Sequence, residues 1–226
     1  MSDPSARAER RARSPQGEGA RLRDELIAAA DRILARTGDE EGLSLRAVAR
    51  EAGVAAPSVY LHFAGKDDLI RAVMRRHFDE LRRAIEAAAA AAPGPAERLR
   101  AGCLAYCRFA VEQPGAYRVL FGNRTSGLAE PPDQGIGLDA FGTLVDGVRA
   151  CMAAGAAPPG DPFRVAMAVW AALHGIVGLR HSAPSFPWVP VDALVDDVLR
   201  GLVGIATGGG GDEREAGGGA GRERRE

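Results

Sequence analysis

Apolar residues in this chain recur at intervals of three and four rather than two, a spacing that predicts amphipathic helices and not strands. Leu22, Leu26, Ile27, Ala30, Ile33 and Leu34 share one face of a helix over residues 21–37, which Thr37-Gly38 ends. A second helix is expected over 45–52, with Ser44 placed to cap it and Gly53 to turn the chain. A third, very short helix is expected over 57–62, with Pro57 suited to its first turn. A fourth runs over 66–92 until Pro93-Gly94-Pro95 stops it. Further helices are expected over 96–112, 115–122, 138–155, 162–182 and 191–206. Gln113-Pro114-Gly115, the 123–137 loop, Pro158-Pro159-Gly160 and the stretch from Pro184 to Pro190 separate them. No strand pattern is convincing, so the expected fold class is all-α. At ~1.5 Å per residue the fourth helix is about 40 Å long, more than a three-helix unit needs, and it reads as a bridge between two modules.

The ends read differently. Residues 1–20 are rich in Arg, Ser, Gly and Pro without apolar period, which predicts a disordered arm. Residues 207–226 are Gly-rich and then charged, a flexible tail. That leaves a small helical domain over 21–66 and a larger one over 67–206. The net charge of −1 argues against general coating of nucleic acid, so any DNA contact must come from local placement of charge. No uninterrupted apolar run reaches the roughly 18 residues that cross a bilayer, and no membrane partner is expected. The charged N-terminus lacks the apolar core of a secretory signal, which favours the cytoplasm. Cys103, Cys107 and Cys151 do not form a disulfide framework.

The most informative segment runs from residue 44 to 69. Ala47, Val48 and Ala52 give the second helix an apolar side, Gly53 permits a tight turn, Val54 fills the space between helices, and Val59 packs inward from the third. This is the spacing of a helix-turn-helix, whose second member enters the major groove. Val59 and Phe63 face the core. Ser58, Tyr60, Leu61 and His62 are left outward, with Ala55 and Ala56 at the exposed turn. The Tyr60 hydroxyl and the His62 imidazole suit phosphate oxygens. Lys66, the only lysine among 29 basic residues, adds charge at the start of the fourth helix. The small residues Ala55, Ala56 and Ser58 allow close approach to base edges. The third helix has no outward Arg, Asn or Gln for bidentate readout, and Arg46 is the candidate to supply some of it. The competing reading is that Tyr60 and His62 complete a small helical core.

Residues 22–69 resemble the DNA-binding domain of the TetR family of transcriptional regulators. The resemblance rests on Ser44, Val48, Ala49, Ala52-Gly53-Val54, Ser58-Val59-Tyr60, His62-Phe63, Gly65-Lys66 and Leu69. The run Tyr-x-His-Phe-x-x-Lys is specific to that family. The resemblance implies phosphate contacts at Ser44, Tyr60, His62 and Lys66. It implies base-reading positions at Arg46, Ala55, Ala56, Ser58 and Leu61. Pro57 departs from the small flexible residue common there, and Ala47 stands where a capping-box acid often sits. The Arg-rich arm (Arg7, Arg10, Arg11, Arg13) reads either as a plain solvated tail or as a minor-groove arm.

The larger module holds most of the aromatics, and a helical domain of this size can bury a core and keep a cavity. The resemblance implies that such a cavity takes a small, mostly apolar effector. Trp170, His174 and Gly175 match the Trp-x-x-x-His-Gly stretch of one subset of the family. Tyr106, Phe109, Tyr117, Phe121, Met167, Trp170 and His174 are therefore the candidate ligand contacts. For the Trp170–His174 pair the alternative is core packing, with His174 bonded to a backbone carbonyl. Cys103 and Cys107 lie one helical turn apart, poor geometry for a disulfide, and adding His174 or His181 makes a metal site only by assumption. Gly135-x-Gly137-x-x-Ala140 imitates part of a dinucleotide fingerprint but follows a loop rather than a strand. No nucleophile–base set is legible, so no enzyme, cofactor or metal is expected.

Ala171, Ala172, Gly175 and Gly178 leave the 162–182 helix thin on part of its surface, and Leu194, Val195, Val198, Leu199, Leu202 and Val203 stripe the last one. Such faces pack inside a core or against a second subunit. The resemblance implies the latter, a four-helix dimer interface. Together these expectations describe a homodimeric, ligand-controlled repressor on a palindromic operator. The rivals are a helical small-molecule binding or catalytic protein with a vestigial helix-turn-helix, and an activator.

Overall fold

The computed structural model describes residues 18–37, 42–122 and 135–205. Nearly all of the N-terminal arm, the whole C-terminal tail, most of the 123–137 loop and Gly38 lie outside the described residues. Nine α-helices appear among the described residues, in the order α1 (Glu18–Thr37), α2 (Leu45–Ala52), α3 (Ala56–Tyr60), α4 (Lys66–Ala90), α5 (Pro95–Glu112), α6 (Pro114–Phe121), α7 (Leu138–Ala153), α8 (Pro162–Ser182) and α9 (Val191–Val198). The fold is all-α, as the periodicity requires.

Local chemistry sets the boundaries. The Ser44 side chain accepts a hydrogen bond from the Ala47 amide at 3.1 Å and caps α2. Gly53 ends α2 in the left-handed conformation (φ 70°), which lets Val54 donate back to the Ala49 carbonyl at 2.9 Å. Asp161 caps α8 by accepting from the Phe163 amide at 2.9 Å. Several expected boundaries move. The first helix starts at Glu18, inside the stretch 1–20 expected to be a disordered arm. The third helix ends at Tyr60, so Leu61 and His62 lie in the turn beyond it rather than on the helix. The last α-helix closes at Val198 and passes into a π-helical turn, Leu199–Val203, which Gly204 ends at φ 78°.

α1, α2 and α3 pack around Leu26, Val48, Val59 and Phe63, each almost fully buried, and the first turns of α4 complete that core with Leu69, Ile70 and Val73. Glu51 on α2 bridges Arg32 (2.9 Å) and Arg36 (2.8 Å) of α1. Those guanidiniums, Arg36 foremost, hold its carboxyl down at about 2. The Arg23 guanidinium lies 5.0 Å from the centroid of the Phe63 ring. The buried residues continue without a break into the larger module, where α4 packs along α5 and α7 packs between α5 and α8. A bidentate Arg100–Asp196 pair (2.5 and 2.9 Å) ties α9 to α5.

α8 bears on one expectation. By length and composition it is apolar enough to cross a bilayer, although only 22% of the relevant stretch is buried inside the chain. His174 and the glycines interrupt the apolar run, so no long run is visible in the sequence, although the mean hydropathy of the stretch stays high. Its inward stripe is Ala166, Val169, Leu173 and Val177. Phe163, Met167 and Leu179 are exposed on the same helix.

Candidate nucleic-acid interface and ligand cavity

Around α2, α3 and the start of α4 the exposed and partly exposed residues are mostly small or polar. Ser44 and Arg46, at the start of α2, are exposed. Ala55 is exposed at the turn, and Ala56 and Ser58 are partly covered on α3. Tyr60 is 58% exposed and Leu61 84% exposed. This disfavours Tyr60 as a core residue, since Val59 and Phe63, at 0% and 1%, already fill that role. His62 is partly covered in the turn that follows. Backbone bonds from the His62 and Phe63 amides to the Val59 carbonyl, both 3.0 Å, fix that turn. Lys66 opens α4, and the Asp68 carboxylate accepts from the Ala64 amide at 3.2 Å to hold the approach to the helix. Pro57 sits in the first turn of α3 without disturbing it.

The larger module holds a partly open cavity of about 280 Å³. α4 contributes Phe78, Leu81, Ile85 and Ala89; α5 contributes Leu99, Gly102, Cys103 and Tyr106; α7 contributes Phe141, Leu144 and Gly147; α8 contributes Phe163, Met167, Trp170 and Leu173. Nearly every lining atom is apolar. Four of the expected ligand residues, Tyr106, Phe121, Met167 and Trp170, reach the wall. Phe109 is buried in the surrounding core instead. Tyr117 and His174 stand behind the wall as a hydrogen-bonded pair. The Tyr117 hydroxyl is hydrogen-bonded to His174 Nδ1 at 2.7 Å, and the Tyr106 hydroxyl lies 3.2 Å from the same nitrogen. Burial lowers the pKa of His174 and raises those of both tyrosines, so the cluster is neutral at pH 7. His174 therefore has a tyrosine partner, where the core-packing alternative supposed a backbone carbonyl. Edge-to-face contacts of Phe121 with Phe78 (5.6 Å) and His174 (5.1 Å) close one end of the cavity.

Sequence reading missed the α4 face of the cavity. Phe78, Leu81, Ile85 and Ala89 follow helical spacing, but that spacing alone does not say whether a stripe meets solid core or open space. The three cysteines are buried free thiols. Burial raises all three pKa values, which leaves them protonated and unreactive.

A helix-turn-helix head joined by one long helix to a cavity-bearing helical module defines a two-part DNA-binding regulator. Residues 26–73 match the family of bacterial regulatory proteins, tetR family, and residues 99–203 match the tetracyclin repressor-like C-terminal domain. The chain belongs to the TetR family of transcriptional regulators. It is 36% identical over 133 residues to the HTH-type transcriptional activator FasR of Mycolicibacterium smegmatis, covering 54% of this chain and 60% of that one. It is 28% identical over 118 residues to an HTH-type transcriptional regulator of Mycobacterium tuberculosis, covering 50% of each. The chain thus spans only about half to three-fifths of the length of these curated relatives. A protein of unknown function from Rhodococcus sp. RHA1 superposes with a TM-score of 0.69 at 30% identity, over 86% of this chain and 99% of that one. A TetR family transcription regulator from Marinobacter aquaeolei VT8 shares the fold, with a TM-score of 0.66 at 17% identity over 84% and 98%.

Proposed function

We propose that this regulator is a homodimeric repressor released from a palindromic operator by a small apolar effector. The observation that carries this reading is α4. One unbroken helix of 25 residues begins at Lys66 beside the recognition helix and ends past Ala89 in the cavity wall. An occupant that displaces α4 moves the reading head with it. It shifts the equilibrium only by binding the two states with different affinity.

In this reading Ser44, Tyr60, His62 and Lys66 hold phosphates, and Arg46, Ala55, Ala56, Ser58 and Leu61 face base edges. The thin outer face of α8 forms the dimer with the end of the chain's helical part. Added methyls at Gly175 and Gly178 would meet nothing within 4 Å, and Leu202 is 43% exposed. Two-fold pairing there sets two recognition helices about 34 Å apart, one turn of DNA. The role is regulatory rather than catalytic, in the cytoplasm and without metal or cofactor.

Operator DNA selected by the protein from a random pool tests the reading. Lys66→Ala is expected to weaken binding on all sequences and to reduce the salt slope by about 1. Tyr60→Phe weakens binding without changing sequence preference. Binding that survives both changes with its slope intact would sink the assignment. An activator of the same architecture is the second reading, favoured by the relative named an activator at 36% identity. Reporter output after gene deletion separates the two.

A further inference from the structure

His77 and Asp196 are the two buried polar or charged side chains among the described residues. Asp196 meets Arg100 in the pair already described. His77, 4% exposed, sits in the middle of α4 and faces the reading head. Its Nε2 lies 2.8 Å from the Asp31 carboxylate on α1, and its Nδ1 lies 3.2 Å from Glu80, one turn further along α4. A neutral imidazole donates from one nitrogen only, so both bonds exist together only in the imidazolium. Burial alone pulls the ring's pKa down, but Asp31 and then Glu80 outweigh it and hold it above 6.5. Asp31 and Glu80 are the carboxylates that act on the ring, and Arg76 bonds Glu80 at 3.0 Å.

The next residue belongs to the cavity. Phe78 lines it, meets Phe121 edge-on, and closes against Gly137. Two neighbouring side chains on one stiff helix thus face the two modules. A relative shift of about 0.8 Å carries a 2.8 Å bond to the edge of hydrogen-bonding range. We propose that His77 is the strut between cavity and reading head: an occupant that displaces Phe78 breaks the His77–Asp31 bond and frees α1. The strut requires the protonated ring, so it weakens as pH rises. Its effect on DNA rests on the regulatory reading above, whereas the strut itself does not.

The test is hydrogen exchange in α1 of the full chain, corrected for intrinsic rates. Ala140→Phe serves as a built-in occupant, because Ala140 lines the cavity with Phe78. Near pH 6, Ala140→Phe is expected to speed α1 exchange about fivefold in the wild-type background and less than twofold with His77→Gln. The loosening caused by His77→Gln alone shrinks at about pH 8.5, a readout that a proton-independent packing role would not move. If Ala140→Phe does not fold, the uncharged probe N-phenyl-1-naphthylamine takes its place in the same cycle. Additive effects, a pH-independent His77→Gln effect, or a wild-type protein whose α1 answers neither occupant overturns the strut. Operator affinity separates the two ideas, and His62, common to all four proteins, cancels in the ratios. Loosened α1 with unchanged affinity sinks the switch and keeps the strut. Affinity that responds equally with and without His77 sinks the strut and keeps the switch.

Discussion

Gly53→Ala and Gly137→Ala impose a similar backbone penalty at two sites with different surroundings. Both glycines lie in the left-handed region, at φ 70° and φ 95°. A Cβ there costs about 1–2 kcal/mol. At Gly53 the added methyl would meet nothing within 4 Å, so that penalty is the whole effect. At Gly137 it would stand 2.6 Å from the Phe78 ring, so overpacking adds about 1–3 kcal/mol. Thermal and urea unfolding of the full chain are expected to show Gly53→Ala lowering Tm by about 4 °C and Gly137→Ala by at least about twice that. Gly53→Asn falls between wild type and Gly53→Ala, since Asn visits this region more readily. Phe78→Leu should restore part of the loss in Gly137→Ala and none in Gly53→Ala. Equal losses at the two sites, or rescue at both, would refute the claim that the Phe78 ring bears directly on Gly137.

Three further outcomes follow from the charges. His77 has a raised pKa, so its stabilisation is complete below 6.5 and is lost as pH rises through the raised value; His77→Gln flattens the alkaline side of the stability profile. His174 has a lowered pKa, so stability falls as pH drops below 6.5; His174→Gln flattens that side instead, and melts across the range distinguish the two. Glu51 is held at about 2, so its grip on Arg36 and Arg32 persists above the ordinary 4.5 and is lost as pH falls from there to about 2; α1 exchange in Glu51→Gln should match acid-treated wild type.

The reading head was legible because its signals are local. Ser44, Gly53, Pro57 and the pair Val59 and Phe63 each act within a few residues, and the structure places each where spacing alone put it. The interface followed by subtraction, since two inward residues on so short a helix leave Tyr60 and Leu61 outside. The cavity was legible only in part. Tyr106, Phe121, Met167 and Trp170 reach its wall, but Phe109, Tyr117 and His174 do not. Which side of a buried helix meets empty space depends on the spacing of neighbouring helices, and composition does not encode that directly.

By itself, then, the sequence determined the helices, most of their stops and which residues of the short third helix turn outward, because caps, breakers and apolar period act over one or two turns. Tertiary structure decided which aromatics border open space and that His174 pairs with Tyr117. It also decided that His77 faces Asp31, 46 positions earlier in the chain. Those outcomes require helices distant in sequence to meet at a particular distance and rotation, and packing sets both.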